Sequence, residues 1–444
     1  MFADLAPLTI GFIAIGLLLV LVYGGLYVGV ALTAVSFVGV MMLRGDFGIA
    51  SQMLSIAAAD SIASYIFGVI PLFVLMGMLV GISGIGEECF DVADRMLQRL
   101  AGGLGIATVA ANAIFAAITG ISIAAAAVFV RIAVPQMMRF GYRAKFAVGV
   151  VAGSSVLGML LPPSLLFILF GIITETSIGD LFLAGVLPGL VLTAVYCAYI
   201  MLAARYRPGL IYESGLVPSL ATRRMVVRPV EVARALSPVA LLVLFVIGGI
   251  YGGFFTPTEA GAVGALGAFI ITAFRGRLQR SAFWKVLVDT GQVTASVCLL
   301  LIGASLFSRF LALSGLPTEI AGLFQQTGLG PAGFIAVYVL TLVVLGCILD
   351  SSSTLLILVP IAFPVSQSFG VDPYWFGVIT VLTVEIGLLT PPFGLSVFVV
   401  RASLASESPI TTNNIFAGSF PFVLLMTATL CLVIAFPWLV TALL

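Results

Sequence analysis

Apolar residues run along this chain in long blocks, separated by short glycine, proline or charged interruptions. A first block, MFADLAPLTIGFIAIGLLLVLVY, weakens at Gly24 and Gly25 and continues to Leu43, which predicts two helices. The stretch 46–62 is mixed and suits a helix at a membrane interface. Apolar segments follow near 66–85, 104–119, 121–138 and 146–161, then from Pro162-Pro163 to Phe170, then over 181–203. The second half has segments near 293–313, 332–349, 351–368, 374–390, 393–403 and 415–439. LFLAGVLPGLVLTAVYCAYIML, at 181–202, is apolar on every face. That pattern belongs to a buried or membrane-spanning helix and not to the alternating strands of a barrel. Several segments fall short of the roughly 20 residues that cross a bilayer. They read as halves of broken helices, or as hairpins that enter and leave on one side.

Charge supplies an orientation. Residues 204–236 carry Arg205, Arg207, Arg223, Arg224, Arg228 and Arg234 against Glu213 and Glu231. The next polar stretch, 275–289, carries Arg275, Arg277, Arg280 and Lys285 against Asp289. The positive-inside rule places both in the cytoplasm, so an even number of crossings separates them. Segment 237–274 breaks at GGIYGGFFTPTEAG and suits two helices. Arg139, Arg143 and Lys145 mark a third turn on that side, and 87–99 reads as a solvated face. The N-terminal block has no basic flank, so it reads as a membrane segment and not as a signal peptide.

Composition agrees. The chain has 444 residues, of which 61% are hydrophobic and 8% charged, against about 25% charged in a soluble domain. The class is an all-α polytopic membrane protein. Histidine is absent, which excludes imidazole catalysis, a Ser-His-Asp triad and His-ligated zinc or haem. The five cysteines form no CxxC pair. A net charge of +1 offers no field for nucleic acid. There is no Walker A motif, as suits a gradient-driven process.

The chain also resembles itself. LLPPS (160–164) and LTPPF (389–393) place their proline pairs 229 residues apart. VRIAVP, ending at Pro135, and VPIAFP, ending at Pro364, keep the same spacing. FLAGVLP (182–188) and IFAGSFP (415–421) follow at 233. These landmarks predict two homologous membrane repeats, 1–203 and 237–444, each with a hairpin and a proline break, joined by a basic cytoplasmic linker, 204–236. Repeats interrupted at corresponding places point to a secondary transporter and to its binding site. An inverted pair is the expected arrangement; it requires an odd number of crossings per unit, a count the hairpins leave open.

Two regions carry candidate chemistry. In the first, AAITGISIAAAA (116–127) and GSSVLGMLLPPS (153–164) set Ser122, Ser154, Ser155, Gly120 and Gly158 in an apolar background beside Pro162 and Pro163. A broken helix frees carbonyls for a dehydrated Na⁺, and its half-helix N-termini present N–H groups to an anion. Close packing of small residues is the alternative. In the second, GCILDSSSTLLILVP (346–360) lies with VEIGLLTPPFG (384–394). Asp350 precedes Ser351, Ser352, Ser353 and Thr354, and reads either as a helix cap or as an ion or gating ligand. Glu385, seven residues before Pro392, is a second intramembrane carboxylate of the same kind, and Thr390 places a hydroxyl beside Pro391. Glu259 in FFTPTEAG completes a capping-box spacing with Thr256 and has a structural or gating role. Arg131 reads as a snorkelling side chain or an anion attractor, and Arg309 as snorkelling.

PLFVLMGMLV (71–80), FAAITG (115–120), LPPS, TSIGDLFLAGVLPGL (176–190), GGFFTPTEA (252–260) and the ILDSSSTLLILVPI/TPPFG pair resemble, in order, the large membrane subunit of tripartite ATP-independent periplasmic (TRAP) transporters. The resemblance implies an elevator-type ion-transporter architecture in the bacterial inner membrane. It implies sodium-coupled uptake of a small organic anion, such as a C4-dicarboxylate, a sialic acid or another carboxylate or sulfonate. An extracytoplasmic binding protein would deliver the substrate, and a separate small four-helix membrane subunit would brace this one, since no such module is seen at its N-terminus. No cofactor is implied beyond Na⁺ as coupling ion. Carried over, one sodium site falls around Ser122, Gly158, Leu161 and Pro163, and the other around Gly346, Asp350, Gly387, Thr390 and Pro392. Substrate would lie between them, near Ser154, Ser155, Ser351, Ser352, Ser353 and Thr354, with Pro162 and Pro391 as structural or gating elements. Arg131 departs from the small residue that members often carry there. The alternatives are a sodium/dicarboxylate symporter that needs no binding protein and a membrane scaffold without a substrate path. A membrane protease lacks a convincing dyad.

Overall fold

A computed structural model describes residues 6–215, 229–404 and 409–444. Arg223, Arg224 and Arg228 of the basic linker lie outside the described residues. In chain order the helices are α1 (Pro7–Tyr23), α2 (Val28–Arg44), α3 (Phe47–Ala63), α4 (Val69–Ile82), α5 (Ile85–Leu97), α6 (Gly103–Thr119), α7 (Ser122–Arg139), α8 (Ala144–Ser155), α9 (Leu157–Leu160), α10 (Leu165–Thr174) and α11 (Ile178–Tyr206). A short α12 (Pro208–Ile211) precedes α13 (Pro229–Tyr251) and α14 (Pro257–Phe274). There follow α15 (Arg280–Ser314), α16 (Leu316–Gln326), α17 (Gly330–Gly346), α18 (Ser351–Ser368), α19 (Pro373–Leu389), α20 (Leu395–Ser403), α21 (Thr412–Ala435) and α22 (Trp438–Thr441). The described residues contain nine helical spans long and apolar enough to cross a membrane, and no β-sheet.

Burial separates a centre from a periphery. The span Ala144–Thr174 is 89% buried, whereas Val230–Tyr251 is 22% buried. Peripheral helices offer lipid-sized side chains such as Leu244, Phe245 and Leu266 outward, while the first broken helix is enclosed by protein. Enclosure suits it, because freed backbone groups have no partner in hydrocarbon. The second is buried up to Leu389 but exposes Pro391, Pro392 and Phe393 at its break.

The order of elements recurs. α4 to α11 and α15 to α21 each run as a long helix, an amphipathic helix, a helical hairpin, a helix broken at Pro-Pro and a final long helix. The 229-residue offset maps Ser122, the first residue of α7, onto Ser351, the first of α18. Both Pro162-Pro163 and Pro391-Pro392 are cis. Packing is reciprocal: α10 lies on α18 and α20 on α7, while α8 lies on α21 and α19 on α11. Gly149 and Gly418 bring the backbones of α8 and α21 into contact, where neither position has room for a Cβ.

The hairpins open toward opposite ends of α11. Gly102, before α6, sits against Ile200 and Ala204, near the end of α11. Arg143, after α7, donates through its backbone N–H to Ile211 O (2.7 Å). At the other end of α11, Asp180 accepts a hydrogen bond from Tyr374 at the start of α19 (3.1 Å). The α17–α18 hairpin therefore opens on the side where α11 begins. With 29 residues at 1.5 Å rise, α11 is about 43 Å long, enough to join the two faces of a bilayer.

Four readings of the pattern change. The 87–99 stretch is not simply a solvated face: α5 buries Cys89, Phe90 and Ala93, and pairs Glu88 with Arg275 (2.6 Å) from its polar side. Much of 275–289 is helix, because α15 starts at Arg280. The linker is shorter than 204–236, since α11 reaches Tyr206 and α13 starts at Pro229. Arg309 does not simply snorkel; it meets Asp60 at 2.6 Å, a partner 249 residues distant and invisible to hydropathy.

Candidate functional site

At the first break, α6 ends on Gly120 in the left-handed region (φ +62°), and α7 begins two residues later at Ser122. Gly158 lets this turn approach, since a Cβ there would lie 3.3 Å from Ser122 N. The helix is interrupted because Pro162 has no N–H for Gly158 O, and Pro163 has none for Met159 O. Leu161 is extended, and Ser164 restarts the helix by accepting from Phe167 N (3.4 Å) while donating to Met159 O. Leu165 N donates to Gly120 O (3.3 Å), tying break to hairpin. Thr119, Gly120, Ile121, Pro163 and Ser164 line a cavity of about 10 Å³, the scale of one water-sized occupant.

The second break repeats the device. Gly387, the counterpart of Gly158, meets Gly346 so closely that a Cβ on it would lie 2.7 Å from Gly346 Cα. Thr390 N donates to Gly387 O (2.9 Å), and the Thr390 hydroxyl donates to Ile386 O (2.6 Å). Gly394 N donates to Cys347 O (3.2 Å), tying this break to its own hairpin. Asp350 caps α18, accepting from Ser352 N (3.1 Å) and Ser353 N (3.2 Å) through Oδ2. A cap and an ion ligand are compatible, because a carboxylate offers more acceptor positions than two N–H groups use.

Glu385 joins the two regions. It is 1% exposed, and its Oε1 accepts from Ser351 Oγ (3.2 Å). Ser122 Oγ, buried at the start of α7, faces the same carboxyl. The equivalent serines of the two hairpins thus converge on one acid. Thr354 Oγ1, one turn along α18, is buried and has no hydrogen-bond partner.

The other proposed neighbours are less open. Ser154 is fully buried, donates to Val150 O (2.7 Å) and accepts from Asn112 Nδ2 (2.7 Å). Ser155 donates to Ala152 O (2.8 Å). Glu259 is exposed, in a capping box with Thr256: its Oε2 accepts from Thr256 N (2.8 Å). Thr258 donates to Tyr65 O (3.3 Å), joining the starts of α14 and α4. Arg131 is exposed on α7. Asn112 was missed in the sequence; its signal is a lone amide in the apolar run GLGIATVAANAIFAAIT.

A second feature is an open cavity of about 900 Å³ on the side where α11 begins. Asp60, Tyr65, Glu175, Thr176, Thr256 and Arg309 are among its lining residues.

A family profile described as the DctM component of the tripartite ATP-independent periplasmic transporter matches residues 15–439. The C4-dicarboxylate TRAP transporter large permease protein DctM of Pseudomonas aeruginosa is 36% identical over 352 residues, covering 79% of this chain and 80% of that protein. The sialic acid TRAP transporter large permease protein SiaM of Vibrio cholerae is 33% identical over 424 residues, 94% of each. Among solved structures, MtrF of Neisseria gonorrhoeae aligns with a TM-score of 0.61 at 13% identity, covering 97% of this chain and 95% of that one, a likeness of fold. Paired hairpins and breaks in an all-α membrane protein, together with a profile spanning nearly the whole sequence, show that the chain belongs to the DctM family of large permease components of TRAP transporters, which are multi-pass inner-membrane secondary transporters and not enzymes.

Proposed function

We propose that this chain carries a small organic anion inward with Na⁺, receives it from an extracytoplasmic binding protein, and works beside a small membrane subunit. One observation carries the reading: Ser122 and Ser351, the first residues of the second helices of the two hairpins, converge on Glu385 of the second broken helix. Four helices, α7, α10, α18 and α20, begin in this region, and four others, α6, α9, α17 and α19, end there. The starting ends present N–H groups and partial positive charge suited to an anion, and the finishing ends present carbonyls suited to Na⁺. The two proposed sodium sites then comprise Ser122, Gly158, Leu161 and Pro163, and Gly346, Asp350, Gly387, Thr390 and Pro392. Substrate would lie between them. The relatives carry names of different substrates, isethionate among them, so the shared frame argues for a small carboxylate or sulfonate and not for one compound.

The same geometry supports a reading of inverted repeats. Glu88 after α4 pairs with Arg275 after α14 in the basic, cytoplasmic stretch, so α4 ends on the cytoplasmic side. Its counterpart α15 begins there, at Arg280. The halves would correspond to 1–203 and 237–444, with α1–α3 and α13–α14 added outside the matched elements. Reciprocal packing of α10 on α18 and of α20 on α7 supports a pseudo-two-fold axis in the membrane plane. An elevator would move the hairpins and breaks as a body against α2, α4, α14 and α15, with α5 and α16 as connecting arms. The 900 Å³ cavity would be its extracytoplasmic vestibule.

The test is uptake into proteoliposomes holding this chain, its small subunit and the binding protein. Accumulation should require an inward Na⁺ gradient and stop when the binding protein is omitted. Uptake that ignores Na⁺ refutes the coupling, and uptake without the binding protein favours a self-sufficient symporter.

A further inference from the structure

We infer that Arg309 is the anion-receiving residue of the open cavity of about 900 Å³. It binds the carboxylate or sulfonate group of the incoming substrate, and Asp60 is the internal carboxylate that occupies it until then. Resting on the reading of this cavity as the extracytoplasmic vestibule, the assignment adds the residue that selects a negative charge at entry.

Position comes first. At 1.5 Å rise per residue Arg309 lies about 43 Å from Arg280, where α15 begins on the cytoplasmic side, so it stands at the extracytoplasmic end of that helix. Asp60 approaches from α3, which packs on α2 and α15 and whose buried residues are Ala50 and Ala57. That helix lies over the surface and borders the cavity. Leu301, Ser305 and Arg309 share one face of α15 at intervals of one turn, and all three line the cavity. A hydroxyl and then an apolar wall thus lead inward from the guanidinium. Gly171 and Glu175, at the end of α10, line it as well. They belong to the body that an elevator sets in motion, so an anion on Arg309 is held by the fixed wall beside the moving one.

The chemistry suits an exchange of carboxylates. A cavity of this volume has the scale of a small-molecule site. Among the described residues that line it, Arg309 is the only basic one, against Asp60 and Glu175. An anion that missed Arg309 would meet only carboxylates and neutral groups. Arg309 Nη2 donates to Asp60 Oδ2 (2.6 Å), the one hydrogen bond its side chain makes among the described residues. A guanidinium carries five N–H donors, and its strong pairing with an acid is two-pronged. The Asp60 contact uses a single prong.

The pair is also open to water. The Asp60 side chain is 61% exposed and that of Arg309 35% exposed. Exposed pairs contribute little to stability, so the carboxylate can swing away at small cost. A substrate group that presents two oxygens to the fork makes the pairing that Asp60 does not. A neutral compound gains nothing by displacing Asp60, so competition with an internal acid selects for charge. Once displaced, Asp60 joins Glu175 as a free carboxylate, and the lining then attracts the coupling cation into the same cavity. A pair that merely fastened α3 to α15 would behave differently, because removing Asp60 would not improve anion binding.

The experiment is modification of Arg309 by phenylglyoxal, a reagent for accessible guanidinium groups, in the full purified chain without binding protein. Mass spectrometry of the Arg309 peptide gives the rate. Succinate, sialic acid and isethionate are the probes, with chloride at equal ionic strength as reference and the exposed Arg277 as internal control. At least one probe should slow modification of Arg309 several-fold and leave Arg277 unchanged. In Asp60→Asn the half-protecting concentration of that probe should fall about fivefold, the scale of one lost exposed competitor. Asp60→Ser replaces Asp60→Asn if the latter does not yield monodisperse protein, with the same expectation. An unchanged or higher half-protecting concentration reduces the pair to a fastener and overturns the inference. Absence of protection by all three probes overturns it too, as does protection by substrate-free binding protein alone, which would make Arg309 a docking contact. Intact protection in a protein whose uptake ignores Na⁺ supports the site and refutes only the coupling.

Discussion

Gly387→Ala should disable transport while leaving most of the fold in place. The added Cβ would lie 2.7 Å from Gly346 Cα, 2.8 Å from Gly346 C and 3.1 Å from Val343 O. All three are backbone atoms, so no side chain can swing aside. Carbon atoms make contact at about 3.5–4.0 Å, and α17 and α19 must part by roughly 1 Å. Overpacking of that kind costs about 1–3 kcal/mol, partly offset by the gain of up to ~1 kcal/mol from replacing glycine in a helix. Function should suffer more than stability, because a displacement near 1 Å in a positioned site lowers rates by about 100-fold. The assay is Na⁺-driven uptake in proteoliposomes, with thermal unfolding in detergent on the same samples. Distance sets a ranking. Gly346→Ala (3.2 Å to Gly387 Cα) and Gly158→Ala (3.3 Å to Ser122 N) should be milder, and Gly81→Ala, with nothing within 4 Å, should be silent. If Gly387→Ala transports within threefold of wild type, or if Gly81→Ala is as damaging, the backbone-contact reasoning is wrong.

Three further sets of substitutions separate folding from function. Asp350→Asn should keep a cap but lose the charge, so Na⁺-dependent uptake falls while membrane abundance holds; Asp350→Ala removes the cap too, at about 1 kcal/mol, and an equal loss of abundance and activity would leave capping as its only role. Ser154→Ala strands Asn112, whose Oδ1 is already unpartnered, and should cost about 1–3 kcal/mol of stability. Adding Asn112→Ala to it should cost less than the sum of the two changes in thermal unfolding, and strict additivity would contradict the bridge. Thr256→Ala opens the capping box at the start of α14 and should lower stability by about 1 kcal/mol without altering the Na⁺ concentration for half-maximal uptake.

Much of the site was legible before any coordinates. The two proline pairs stand out in apolar runs because a residue without an N–H cannot continue a helix, and the 229-residue offset predicted which positions correspond. Asp350 followed by three serines reads as a cap in either form, and the TPTE spacing announced the box around Glu259. Hydropathy could not show that Arg309 meets Asp60, that Asn112 reaches Ser154, or that α5 buries one face. Those facts depend on partners from 42 to 249 residues away, and on a helical phase that a short mixed segment expresses weakly.

The sequence alone therefore established a helical membrane protein, its two basic stretches, its duplicated breaks and the residues around them. These follow from local chemistry: apolar length against bilayer thickness, charge against topology, and proline against the helix. Which carbonyls face which hairpin, and which serines share an acid, are matters of packing between elements. Ser122 and Ser351 begin helices in different halves of the chain, and both face Glu385, where Gly158 admits the first hairpin turn and Gly346 and Gly387 let α17 and α19 close on one another. No local pattern encodes that approach; it is the sum of many contacts, and it brings two separate hairpins to one buried acid.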